Sequence, residues 1–291
     1  MRAPAGTALD DLLAEDVRSW AALSPACFLV SPDGICAGTG PVDLVLPWAS
    51  VTKIVAALAV LDVVQDGLLA LDDPAGPPGS TVRHLLGHAS GLAFDSERRL
   101  AEPGTRRIYS NRGIELAVEV AVRMAGAPDA ASLLRERVLG PLGMGGTSLI
   151  GPASYGARGP VRDLARLARE LLAPSVLRPA VVDSALAPSF PELAGVLPGF
   201  GRQDPNDWGL GVELRGHKNP HWMAADAPPD CVGHFGQSGS FLWADRTLGL
   251  AAVVATGTPF GPWAAEAWPR SSARWRRAWC AGAARTTGGA V

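Results

Sequence analysis

The sequence predicts a mixed α and β (α+β) fold whose strands come from both ends of the chain and whose middle is helical. Strand-like runs lie at 26–38 and again between 208 and 256, with helical runs between them, the pattern of a discontinuous domain. The chain has 291 residues, 47% hydrophobic and 19% charged, enough to bury the core of one large domain. A single domain over 1–291 is expected, with an α/β part at about 1–70 and 205–291 and a helical part at about 71–204.

Each element has a local reason. An amphipathic helix opens the chain, and Ala26–Val30 and Gly34–Gly38 follow as two short strands joined at Pro32-Asp33-Gly34. From Ser50 to Gln65 apolar residues fall on every face, Ile54, Val55, Leu58, Leu61 and Val64 among them, so this helix is buried all round. Gly67 ends it, and the Pro/Gly stretch Asp72–Ser80 is a loop. Further helices are expected at about Val82–Gly87, Gly113–Met124, Ala130–Leu139 and Arg162–Leu172. Trp208–Leu214, Ser240–Asp245 and Gly249–Thr256 fit strands of one sheet. A last helix carrying Trp268, Trp275 and Trp279 should cover that sheet, with Pro269 marking its start.

Composition excludes several function classes. The net charge is −2 and arginine is scattered among acidic residues, so there is no basic tract for nucleic acid and no polybasic membrane patch. Asp10, Asp11, Glu15 and Asp16 interrupt the N-terminus where a signal peptide needs an apolar stretch, and no later run approaches membrane-spanning length. A cytoplasmic protein with a small-molecule partner is expected. Cys27, Cys36, Cys231 and Cys280 are widely spaced and show no metal-ligand pattern. Hairpin pairing about Asp33-Gly34 opposes Cys27 to Gly40, and pairing about Pro32-Asp33 opposes it to Gly38, so reduced thiols are expected.

The chemistry concentrates at Ser50 and Lys53. Residues three apart share a helix face, so the Lys53 amine can reach the Ser50 hydroxyl at the helix N-terminus. A serine hydroxyl becomes a good nucleophile when a base takes its proton, and lysine serves if its surroundings keep it neutral. The bland alternative is an ordinary N-cap followed by an ordinary first-turn lysine. Against it, lysine in the first turn opposes the helix dipole.

Tyr109-Ser110-Asn111 offers a tyrosine to exchange protons with Ser50 and an amide to hold Lys53 or a substrate carbonyl; otherwise it is a helix-entry loop whose asparagine caps. Gly233-His234-Phe235-Gly236-Gln237-Ser238-Gly239 would let a substrate lie against the backbone and supply an N–H to an oxyanion, or it is a glycine-rich turn. His84 and His88 have zinc-ligand spacing without a third ligand, and His217 and His221 repeat it in a loop, so no metal and no other cofactor is expected.

Together, Ser50-Val-Thr-Lys53, Tyr109-Ser-Asn111 and His234-Phe-Gly236 resemble the three-motif set of the serine β-lactamase and penicillin-binding-protein superfamily, in its class C β-lactamase, DD-peptidase and esterase branch. Val82–Leu92, Pro103-Gly-Thr and Val138–Met144 resemble the connecting text of that branch. The resemblance implies an antiparallel sheet flanked by helices plus a helical subdomain, β-lactamase/transpeptidase-like, with the site in the cleft. It implies Ser50 as acylated nucleophile, Lys53 as base and Tyr109 as proton carrier. Asn111 would orient substrate or lysine, and His234 would stand where lactamases usually have lysine. The N–H groups of Ser50 and Gln237, beside Gly236, would form the oxyanion hole.

Two departures bear on substrate. Phe235 replaces a hydroxyl residue that helps bind a carboxylate, and His234 replaces a permanent cation, so both point towards esterase-like chemistry rather than β-lactam or D-amino-acid peptide hydrolysis. The short interval between Ser50 and Tyr109 implies a trimmed helical subdomain and a more open cleft, unless a loop fills it. A small ester or amide is thus the expected substrate. An acyltransferase with the same residues and a non-catalytic binding module are the alternatives. An α/β-hydrolase would need a Gly-x-Ser-x-Gly elbow, which the sequence lacks.

Overall fold

The computed structural model describes residues 6–287, so the first five residues of the N-terminal segment lie outside the described chain. Helix α1 (Gly6–Ser19) leads into the hairpin of β1 (Ala26–Ser31) and β2 (Gly34–Thr39). The hairpin register differs from both sequence alternatives. A bulge between Leu29 and Val30 shifts the pairing by one residue, and Cys27 lies opposite Thr39. After β3 (Leu46–Pro47) comes a 3-10 turn, Ala49–Val51, and only then α2 (Thr52–Gln65). Every residue of α2 from Thr52 to Val63 is buried, as its unbroken apolar sequence requires.

The middle of the chain holds α3 (Val82–Leu86), α4 (Asn111–Ala125), α5 (Ala130–Leu134) continued by a wider turn at Arg135–Leu139, β4 (Ser148–Leu149), β5 (Ala157–Gly159), α6 (Val161–Leu172) and α7 (Pro179–Leu186). A small hairpin of β6 (Gly195–Leu197) and β7 (Gly201–Gln203) follows. Helix α4 opens two residues before the expected Gly113, because Ser110 and not Asn111 is its cap, accepting the Gly113 N–H at 3.0 Å. The asparagine side chain is thereby left for other work.

The last third is β8 (Glu213–Leu214), β9 (Val232–Gly236), β10 (Ser240–Asp245), β11 (Leu250–Ala255) and α8 (Pro262–Thr287). Three expectations are corrected here. Trp208–Leu214 is not one strand, since Gly211 takes a φ of 74° where a side chain would strike Ala57 of α2. The glycine-rich segment from Gly233 is strand β9 as far as Gly236, and the turn is confined to Gln237–Gly239. Pro269 lies inside α8, whose start is marked by Pro262 instead.

The six-stranded sheet runs β2-β1-β11-β10-β9-β8 with every neighbouring pair antiparallel. Side chains alternate between its faces. Val30, Leu242, Ala244 and Val253 join the core made with α2 and α6, whereas Leu29, Phe241, Trp243 and Val254 join the core made with α1 and α8. Trp268, Trp275 and Trp279 are buried in the second core, and Trp275 also donates to Asp16 of α1 at 2.7 Å. No described helix is long and apolar enough to cross a membrane.

Candidate active site

The 3-10 turn that carries Ser50 is pinned from two sides. Trp48 donates its backbone N–H to Ala157 at 2.9 Å and its indole N–H to Gly159 at 3.0 Å, which ties the turn to β5. On the other side Ser240 of β10 donates to the Trp48 carbonyl at 2.8 Å. Gly236 of β9 lies so close that a Cβ there would sit 2.3 Å from the same carbonyl. The absence of a side chain at Gly236 thus admits the neighbouring turn. Ala49 takes a φ of 44°, a strained value for a residue with a side chain, immediately before Ser50. Ser50 makes no capping bond at the start of α2.

Lys53 is fully buried, and its Nζ lies 3.2 Å from Ser50 Oγ. It donates to Asn111 Oδ1 at 2.6 Å and to the Ser154 carbonyl at 2.9 Å. Both acceptors are held in turn. The Asn111 amide donates to Asp95 Oδ1 at 2.8 Å, which fixes its oxygen towards the lysine, and the Ser154 hydroxyl donates to Glu115 at 2.6 Å. Burial pulls the Lys53 pKa down to about 7, against the opposing pull of Glu115 and Asp95. A neutral amine has two N–H groups and one lone pair. With both N–H groups committed to Asn111 and Ser154, the lone pair faces the Ser50 hydroxyl.

Tyr109 stands beside this pair, its ring centroid 4.8 Å from Lys53 Nζ and its hydroxyl 3.4 Å from His234 Nε2. His234 Nδ1 lies 2.7 Å from the Phe235 carbonyl, so that nitrogen carries the proton and Nε2 accepts from Tyr109. Burial, and next Lys53, push His234 down to about 3, so the imidazole is neutral. Burial likewise pushes the Tyr109 hydroxyl up, and the Ser50 hydroxyl only partly opposes it, so the phenol keeps its proton.

Ser50, Tyr109, His234 and Gln237 line a cavity of about 70 Å³, closed by Phe94, Leu197, Pro198 and Trp208. The cleft is therefore narrow, because the loop at 94 and the β6–β7 hairpin fill the space that the short helical region leaves. Glu213 reaches the cavity wall fully buried. Lys218, His221 and Trp222 all contact its carboxylate, at 3.2, 2.7 and 2.8 Å. Although burial alone would raise its pKa, Lys218 and His221 hold it well below the usual carboxylate range. Phe235 is on the cavity margin, but its ring packs into the second core, 4.7 Å from Phe260 and 5.8 Å from Trp222.

The structure gathers Ser50, Lys53, Tyr109, Asn111 and His234 around one point, with Gly236 supporting the turn and Gln237 exposed on the cavity rim. The histidine pairs have other roles. His84 closes a capping box with Thr81, His88 accepts the Ser110 N–H at 3.2 Å, and His221 binds Glu213. No metal-binding cluster exists among the described residues. Sequence reasoning missed Asp95, Glu115, Ser154, Trp208 and Glu213. Only Asp95 carried a signal, as an acid closing the segment that follows α3.

Known proteins resemble this chain over most of its length. The model of the Beta-lactamase family matches residues 39–273. A beta-lactamase from Mycobacterium bovis is 45% identical and superposes with a TM-score of 0.90, covering 91% of this chain and 98% of its own. Simvastatin synthase LovD from Aspergillus terreus shares the fold at 15% identity and a TM-score of 0.76, covering 94% and 99% of the two chains. EstCE1, a hydrolase with promiscuous acyltransferase activity, does so at 15% and 0.72, covering 93% and 97%. No curated protein sequence matches this chain.

Proposed function

The chain belongs to the beta-lactamase family of serine hydrolases, and on that premise we propose that Ser50 is its acylated nucleophile and that its substrate is an ester of a short, uncharged acyl group. One observation carries the proposal: both N–H groups of a neutral Lys53 are taken by Asn111 and Ser154, which leaves its lone pair for the Ser50 proton.

In the first half-reaction Lys53 Nζ takes the proton from Ser50 Oγ as that oxygen bonds to the ester carbonyl carbon. The oxyanion is received by the backbone N–H groups of Ser50 and Gln237. When the carbon–alkoxide bond breaks, Tyr109 gives its proton to the leaving oxygen and is refilled from the Lys53 ammonium. Water then attacks the acyl carbon and yields its proton to the same pair, which passes it to Ser50 Oγ as the acyl–oxygen bond breaks and the acid leaves. No co-reactant beyond water is needed.

The charge inventory supports an uncharged acyl group. His234 is neutral, Lys53 is neutral while it acts as base, and the Glu213 carboxylate on the wall is paired with Lys218 at 3.2 Å, so the cavity offers an anion no unpaired cation. The apolar lining of Phe94, Leu197 and Trp208 favours a second use of the same acyl-Ser50, transfer to an alcohol instead of water.

Intact mass spectrometry of wild type and Ser50→Ala after exposure to a fluorophosphonate, p-nitrophenyl acetate and penicillin tests the proposal. An adduct or turnover in wild type alone, with the phosphonate and the ester and not with penicillin, is expected. Equal labelling of Ser50→Ala would overturn it.

A further inference from the structure

The space beside Ser50 adjoins a second, wider groove. Phe94, Tyr109 and Pro198 are walls of both, and Leu100, Arg106 and Val196 extend the outer groove to about 240 Å³. Its sides are the loop at 94–100 and β6, and its floor is the segment 106–109, bridged to β6 at Arg107 and Gly195. Phe94, Leu100 and Val196 are 50%, 45% and 58% exposed. Apolar side chains left uncovered next to a candidate nucleophile are how a protein surface marks a ligand's seat.

Charge gives the groove a direction. Arg107 is taken up by the carbonyls of Gly87, Ser189, Phe190 and Asn206, and Arg99 by Glu102. Exposed Arg106 has no hydrogen-bond or carboxylate partner among the described residues. Three residue steps of extended chain separate it from Tyr109, at most about 10 Å. The groove is thus apolar along its length, with a proton donor at the inner end and an unpaired guanidinium at the outer end.

We propose that this groove holds the alcohol half of the ester, and that the alcohol is an apolar chain of medium length ending in an oxyanion held by Arg106. The inference rests on the Ser50 mechanism above. The leaving oxygen must meet the Tyr109 proton, so the chain attached to it runs along the side that Tyr109 walls. The inner cavity of about 70 Å³ confines the acyl group to a short one, and with Glu213 on its wall already paired to Lys218 it offers the anionic end no free cation. An oxyanion on a planar guanidinium is bound by paired N–H donors, which suits carboxylate and phosphate alike.

The test compares kcat/KM for four acetate esters: of methanol, of hexanol, of ω-hydroxyhexanoate and of ω-hydroxyhexyl phosphate. Hexyl acetate should exceed methyl acetate by about tenfold or more, mainly through KM, since apolar contacts bind the ground and transition states alike. One of the two anionic esters should exceed hexyl acetate by a further severalfold, and which one does so identifies the oxyanion. Val196→Asp should collapse the hexyl-to-methyl ratio, and Arg106→Glu should reverse the preference for the anionic ester over hexyl acetate. If all four esters are turned over at similar kcat/KM by a Ser50-dependent reaction, the groove proposal fails while the nucleophile stands. If hexyl acetate is preferred but neither anion adds to it, the role of Arg106 fails. No Ser50-dependent turnover of any ester overturns the nucleophile and the groove together.

Discussion

Asp95 and Lys53 are joined through a single intermediate, the Asn111 carboxamide, which donates to Asp95 at 2.8 Å and accepts from Lys53 at 2.6 Å. An amide can turn end for end, and the carboxylate decides which end faces the amine. Asp95→Ala should therefore let the amide turn its N–H towards Lys53, disorient the lone pair, and lower kcat/KM by about tenfold to a hundredfold. Steady-state kinetics check this, and full activity in the variant would sink the relay.

The pH dependence of the reaction follows from the same lysine. Lys53 acts as a base only when neutral, and its pKa is held at about 7, so kcat/KM should fall below that pH with a single ionisation. Glu115 raises this pKa. Glu115→Gln keeps a hydrogen-bond acceptor for Ser154 while removing the charge, so the acid limb should move to lower pH. A limb that stays in place would assign the ionisation to another group.

Stability should carry the complementary signature. The folded pKa of Lys53 is depressed from 10.5 to about 7, so between these values the unfolded chain binds the extra proton. Stability attributable to this residue rises with pH across that window and is lowest below it. The difference in unfolding free energy between wild type and Lys53→Met should accordingly shift in favour of wild type from pH 7 to pH 10, measured by urea unfolding at each pH.

Phe235 replaces the hydroxyl residue of the related motif, yet its ring is part of the core with Phe260, Trp222 and Trp268. Phe235→Thr should not confer penicillin binding, and should cost about 3–5 kcal/mol of stability as a cavity opens. Thermal unfolding and a penicillin titration together check both halves.

Gly236→Ala puts a methyl group where the Trp48 carbonyl and Ser240 hydroxyl already stand, at 2.3 and 2.5 Å. The turn carrying Ser50 must then move away from β9. A loss of about a hundredfold in kcat with a modest loss of stability is expected, since displacement by about 1 Å suffices for that effect.

What was legible in the sequence was whatever is local. Ser50 and Lys53 are one helical turn apart, and Tyr109 and Asn111 flank the cap of α4, so short motifs carry them. The sheet was legible where strands are apolar on both faces, as in β10 and β11. Lys53 meets Asn111 and Ser154 at separations of 58 and 101 residues along the chain, Asp95 and Glu115 act on it through these two, and no periodicity marks such partners. Gly211, inside the expected Trp208–Leu214 strand, and Gly236 share a related cause. Each is a glycine because another segment crosses it, and that segment is invisible until the chain has folded.

The pairing of β1 with β11 joins residue 26 to residue 255. A nascent chain emerging from the ribosome therefore carries Ser50 and Lys53 long before the strands that wall them exist. Until Val232–Ala255 is synthesised, β1 has only its hairpin partner, and Trp48 lacks the Ser240 hydroxyl that pins the turn carrying Ser50. Such non-local pairing slows folding, and the turn carrying Ser50 gains its last hydrogen bond only when the sheet is complete.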